Sequence, residues 1–83
     1  MPSRKIQPGK GVKGVAIDWS FVGERIRQIR GFHTTQKEFA RSIGVSQSYL
    51  SNMEHGRVEI GVEILLTISR RYGKSLEWLL MGD

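Results

Sequence analysis

The chain has 83 residues, 39% of them hydrophobic and 25% charged, with a net charge of +5 and no cysteine. That length allows one small domain, and the missing thiols exclude disulfide staples and thiolate metal sites while remaining compatible with a reducing cytoplasm. The longest apolar run is too short to cross a bilayer and the basic N-terminus lacks the apolar stretch of a signal peptide, so a soluble cytoplasmic protein without a membrane partner is expected.

Residues 1–17 hold Arg4, Lys5, Lys10 and Lys13 and no acid, so most of the net charge lies in this first segment. With Pro2, Pro8, Gly9, Gly11 and Gly14 and no helical or strand period, they read as a flexible basic arm, suited to a polyanion such as nucleic acid. The plain alternative is a tail without a role. The folded domain is then 18–83.

Asp18 is placed to cap a first helix from Trp19 to about Arg30, with Val22, Ile26 and Ile29 on one face. Gly23 weakens that helix slightly. After a connection over Gly31 to Thr34, Phe39, Ala40 and Ile43 mark the apolar face of a second helix over Lys37 to Ile43. Gly44 stops it, because a sharp turn there needs a positive φ. Ser46 opens a third helix that runs to about His55 and ends at Gly56.

The two faces of this third helix separate. At about 100° per residue, Gln47, Ser48, Ser51, Asn52 and His55 fall within roughly 140° of arc, while Tyr49, Leu50 and Met53 lie opposite. The outward stripe is polar and uncharged where a solvated helix usually carries paired Lys and Glu. Short amides and hydroxyls are what base edges in a DNA major groove accept; the plain alternative is a solvated face that happens to lack charge.

A loop over Arg57 to Ile60 leads to a fourth helix from about Gly61 to Tyr72, with Val62, Leu65, Ile68, Ser69 and Tyr72 inward and Arg70 and Arg71 at the dipole-favoured C-terminus. Gly73 ends it. Ser75 caps a fifth, Leu76 to about Met81. No strand pattern occurs, so the expected fold is all-α, a compact bundle of five short helices.

Thr35 to Gly56 resembles the Cro/cI-type helix-turn-helix family, also called the XRE family. The pattern of T-Q, E-(L/F)-A, G-V-S, S-Y-(I/L)-S and E-x-G is met by Thr35, Gln36, Glu38, Phe39, Ala40, Gly44, Val45, Ser46, Ser48, Tyr49, Leu50, Ser51, Glu54 and Gly56. The flanking GERIRQIR and SLEWLLMGD resemble the family's first and last helices.

The resemblance implies a lambda-repressor-like domain with the motif at about 36–55, its third helix in the major groove and its second across the phosphate backbone. It implies base contacts from Gln47, Ser48, Ser51 and Asn52, and phosphate contacts from Gln36, Lys37 and Arg57. In relatives the matching glutamine also steadies the first recognition residue. Arg30 and Glu54 match a partly buried salt bridge, and with Ala40 and Gly44 are assigned to structure, whereas Gln36 is expected to matter little for stability. Arg4, Lys5, Lys10 and Lys13 are possible arm contacts. Two departures stand out: the connection from Arg30 to Gln36 is about one residue shorter than usual, and Ile60-Gly61 replaces a common Pro-Ser, so the fourth helix loses its usual cap.

His33 and His55 have no Cys or carboxylate at ligand spacing, and no catalytic triad, carboxylate pair or phosphate-binding glycine loop is recognisable. No metal, cofactor or small-molecule substrate is therefore expected, and an enzyme is not. Trp78, Leu79, Leu80 and Met81 read as core packing, or alternatively as a dimer contact. The chain reads as a sequence-specific regulator of transcription, a repressor that binds a palindromic double-stranded DNA operator as a homodimer. The rival readings are a protein-interaction adaptor and an antitoxin or controller that binds a partner.

Overall fold

In the computed structural model, which describes residues 16–82, the chain forms five helices and, among the described residues, no strand. They are α1 (Trp19–Arg30), α2 (Gln36–Ile43), α3 (Gln47–Glu54), α4 (Val62–Tyr72) and α5 (Leu76–Met81). Asp18, Thr35, Ser46 and Ser75 each accept from first-turn N–H groups and so cap α1, α2, α3 and α5. Helix α4 has Gly61 at its N-cap and so no side-chain cap, as the loss of Pro-Ser implies.

Helix α2 begins one residue before its apolar spacing indicates. Thr35 and Glu38 form a reciprocal capping box, in which Glu38 N–H donates to Thr35 Oγ1 and Thr35 N–H donates to Glu38 Oε1. Thr-Gln-Lys-Glu carries that signature openly. At the other end Gly44, with φ 78°, takes the left-handed conformation that turns the chain so that Val45 N–H donates back to Ala40 O at 3.0 Å.

The core sits where all five helices meet. It joins Val22 and Ile26 of α1, Phe39, Ala40 and Ile43 of α2, Leu50 and Met53 of α3, Leu65 and Ile68 of α4 and Leu79 of α5. Ile60 completes it from the α3–α4 connection; a single apolar residue in a loop has no period to announce it. Ile17, which composition assigns to the arm, is half-buried against this core. Arg4, Lys5, Lys10 and Lys13 lie outside the described residues.

Two expectations are corrected. Val62, read as inward, is 67% exposed, and Ile64 packs on the core instead. Spacing sets the direction of a side chain around the helix axis; it does not guarantee that a neighbouring element stands opposite, least of all in a first turn. Gly23, read as a weakness of α1, is where α1 and α3 come into close approach. A Cβ there would lie 2.5 Å from Met53 O and 2.6 Å from Glu54 O, so the missing side chain sets the distance between the two helices.

Tyr72 fastens α4 to α2. Its ring stacks on Phe39 with centroids 5.0 Å apart, and its hydroxyl lies 2.7 Å from Ser42 Oγ. Ser42 gives its single hydroxyl proton to Phe39 O at 2.7 Å, so the Tyr72 hydroxyl donates to Ser42. Helix α5 is held on α1 by Arg25, whose guanidinium lies 4.2 Å from the Trp78 ring centroid and 4.8 Å from that of Phe21, with Lys74 also 4.9 Å from Trp78. Leu79 is buried and Trp78 and Leu80 are half-buried, so the C-terminal cluster packs mainly inward. Met81 stays 49% exposed.

Candidate nucleic-acid interface

Helix α3 divides along its length. Leu50, Met53 and Glu54 are buried and Tyr49 is half-buried, which pins one face to the domain. Gln47 and Ser48 are exposed and Ser51 and Asn52 half-buried on the other. Among the described residues none of these four side chains makes a hydrogen bond, so their donors and acceptors are open to a ligand. Ser46 anchors the start of the helix by accepting from Tyr49 N–H at 3.0 Å. His55 closes its end, with Nδ1 2.8 Å from Ser51 O; because a carbonyl only accepts, that nitrogen carries the proton.

Beneath the stripe lies a buried carboxylate. Glu54 is 3% exposed and receives Arg30 Nε at 2.7 Å and Arg30 Nη2 at 3.0 Å, a two-pronged pair between α1 and α3. Arg30 Nη1 donates to Thr34 O at 3.1 Å, which straps the α1–α2 connection as well. The hydrogen bond to Glu54 raises the Arg30 pKa further above its already high value, against the opposing effect of desolvation. The shortened connection therefore leaves the expected pair intact.

Gln36 differs from its sequence assignment. Its Nε2 donates to Glu54 Oε1 at 3.0 Å, and among the described residues it makes no bond to Gln47. Placed at phosphate by the resemblance and expected to matter little for stability, it also shares a buried ionic site. A terminal amide carries two N–H groups, however, and only one is spent here. The expectation that Gln36 matters little for stability is corrected, because a hydrogen bond to a buried charge contributes more than one between neutral groups.

Lys37 and Arg57 are both exposed. Arg57 N–H donates to Asn52 O at 2.9 Å, so that cation is carried directly on the last turn of α3. Gln36, through Glu54, stands at the same end of α3. The structure thus sets the stripe, the Gln36 amide and the Arg57 cation around one helix, with exposed Lys37 next to Gln36 in sequence. Among the described residues no group of three or more His, Asp or Glu side chains is placed to hold a metal ion, and no helix is long and apolar enough to cross a membrane.

Comparison with known proteins agrees with this geometry. The antitoxin PezA of Streptococcus pneumoniae is 34% identical over 55 residues, which are 65% of this chain and 35% of PezA, so the chain spans about a third of that relative. The P22 c2 repressor protein, solved in complex with a synthetic operator, superposes with a TM-score of 0.69 at 34% identity, covering 76% of this chain and 97% of the other. The clp gene regulator ClgR of Corynebacterium glutamicum does so with a TM-score of 0.67 at 29% identity, covering 77% and 69%. A protein-family model described as helix-turn-helix matches residues 26–79, from the middle of α1 into α5. The turn at Gly44, the caps on either side of it and this match over most of the chain place the protein in the helix-turn-helix family, of the Cro/cI or XRE type.

Proposed function

We propose that this protein regulates transcription by binding double-stranded DNA in a sequence-specific manner, as a repressor acting as a homodimer on a two-fold-related operator. The observation that carries the reading is the outward stripe of α3: four uncharged polar side chains, free of internal hydrogen bonds among the described residues, on a helix whose opposite face is locked into the core. In the groove, Gln47 and Asn52 pair with adenine through both hydrogen-bonding groups of their amides, and Ser48 and Ser51 take either partner. Gln36, Lys37 and Arg57 meet the flanking phosphates, Gln36 with the N–H that Glu54 leaves free. Arg4, Lys5, Lys10 and Lys13 add a salt-sensitive attraction.

The P22 c2 repressor, of similar fold and solved on an operator, supports the DNA reading. The dimer follows from affinity, because one short helix reads few base pairs and two half-sites about one helical turn apart multiply binding. A second reading, an antitoxin that also binds a partner protein, has the identity to PezA behind it.

Selection of bound duplexes from a random pool tests the proposal. The expected result is a palindrome with A·T positions in each half-site, and Gln47→Ala or Asn52→Ala weakens binding to it by about 1–3 kcal/mol while relaxing preference at one such position. A pool that yields no enriched sequence would falsify the reading.

A further inference from the structure

Phe32 is fully exposed, the most exposed large apolar side chain among the described residues. Its place is unusual for such a residue. It stands in the four-residue connection Gly31 to Thr34, which Arg30 straps at its far end by donating to Thr34 O and which opens on Gly31 N–H donating to Arg27 O. The ring is therefore carried on a short connection bonded at both ends. That connection runs straight into Thr35, the cap of α2, and then into Gln36 and Lys37.

What surrounds Phe32 decides what it would meet. An open depression beside it is lined by Glu24, Arg27, Gln28, Arg30 and Gly31, all polar or without a side chain. The other exposed large apolar residues, Val62 and Met81, belong to α4 and α5. A protein-docking face needs several adjoining apolar residues, and Phe32 has none on its own element. A single ring next to Arg27 and close in sequence to Lys37 instead matches the alternation along a nucleic-acid strand, where apolar deoxyribose faces separate phosphates.

We propose that Phe32 packs on a deoxyribose of the DNA backbone just outside the half-site read by α3, extending the contact made by Gln36 and Lys37. This rests on the DNA-binding reading above. The contact is apolar and releases no counterions, so it adds affinity without adding salt dependence, unlike the contacts of Lys37 and Arg57. It carries no base information and so leaves sequence preference unchanged.

The test uses the full chain and a duplex selected by the wild-type protein, in one version ending at the half-sites and one with several further base pairs on each side. Phe32→Ala should weaken binding to the longer duplex about five- to tenfold, as expected for losing part of a ring's buried surface. It should leave binding to the short duplex, the slope of affinity against salt and the melting temperature unchanged. Hydroxyl-radical cleavage, which reports deoxyribose access, should show the outermost protected sugars opened, and Phe32→Leu should restore most of the protection.

Equal affinity and equal footprints for Phe32→Ala and wild type would overturn the proposal. So would a loss of self-association on sedimentation without a change in the footprint, which would assign the ring to a second copy of the chain. If the wild-type protein enriches no duplex at all, the DNA reading itself has failed, and that outcome is distinct because it precedes any change at Phe32.

Discussion

Around Glu54 three segments are joined by directional bonds, whereas around Trp78 two are joined by stacking and apolar contact. Glu54 takes Arg30 from the end of α1 and Gln36 from the start of α2 while belonging to α3 itself, at distances of 2.7–3.0 Å. Trp78 lies under the Arg25 guanidinium, and the side-chain hydrogen bond that ties α1 to the end of α5 there, from Arg25 Nη2 to Gly82 O, is long at 3.5 Å. A hydrogen-bonded ion pair fixes angle as well as distance, while stacking tolerates sliding. The directional site lies under the stripe proposed to meet base edges, and the tolerant one closes α5 onto α1.

The sharpest way to break this comparison is Glu54→Ala. Removing the carboxylate leaves Arg30 charged, largely shielded and without its partner, so stability should fall by about 3–5 kcal/mol in thermal or denaturant melts. Base discrimination by the surviving folded protein should also relax, because the α1–α3 geometry is no longer held. Trp78→Ala should cost about 3 kcal/mol of stability and yet leave the selected half-site unchanged well below the melting temperature. A Trp78 variant with altered base preference would show that the two regions are not mechanically separate.

Gln36→Ala sharpens the same comparison on a smaller scale. It should cost about 1.5 kcal/mol in melts, as for a hydrogen bond to a charged group, and weaken DNA binding beyond that loss. Melts identical to wild type would return Gln36 to phosphate contact alone. The smallest effect is expected from exchanging Arg4, Lys5, Lys10 and Lys13 for Gln. In titrations at several salt concentrations the slope of log affinity should become shallower by at most about 3.6 per chain, with the selected sequence retained.

Much of the scaffold was legible in the chain because its signals are local. Asp18, Ser46, Gly44 and Ser75 mark helix ends by their own chemistry, and the period of Val22 and Ile26 or of Phe39 and Ile43 depends only on the helix they sit in. Gly23 could not be read this way, since its role is set by backbone atoms of Met53 and Glu54 some thirty residues later. The Arg25–Trp78 stack and the Tyr72–Ser42 bond are likewise meetings of distant segments. Polarity and spacing located the candidate interface, and only the family resemblance paired Arg30 with Glu54. That Gln36 shares the Glu54 carboxylate needed the geometry, because an amide at a helix start fits phosphate and carboxylate equally well.

The division of α3 into a locked face and an open one also bears on how such a protein changes over generations. Leu50, Met53 and Glu54 hold the helix in place, while Gln47, Ser48, Ser51 and Asn52 contribute little to the core. Substitutions at exposed Gln47 and Ser48 are therefore nearly neutral for folding, and exchanges of similar size at half-buried Ser51 and Asn52 leave the core residues in place. A duplicated copy can drift at them toward a new target while inheriting its fold unaltered, and a designer can transplant another stripe onto the same helix for the same reason.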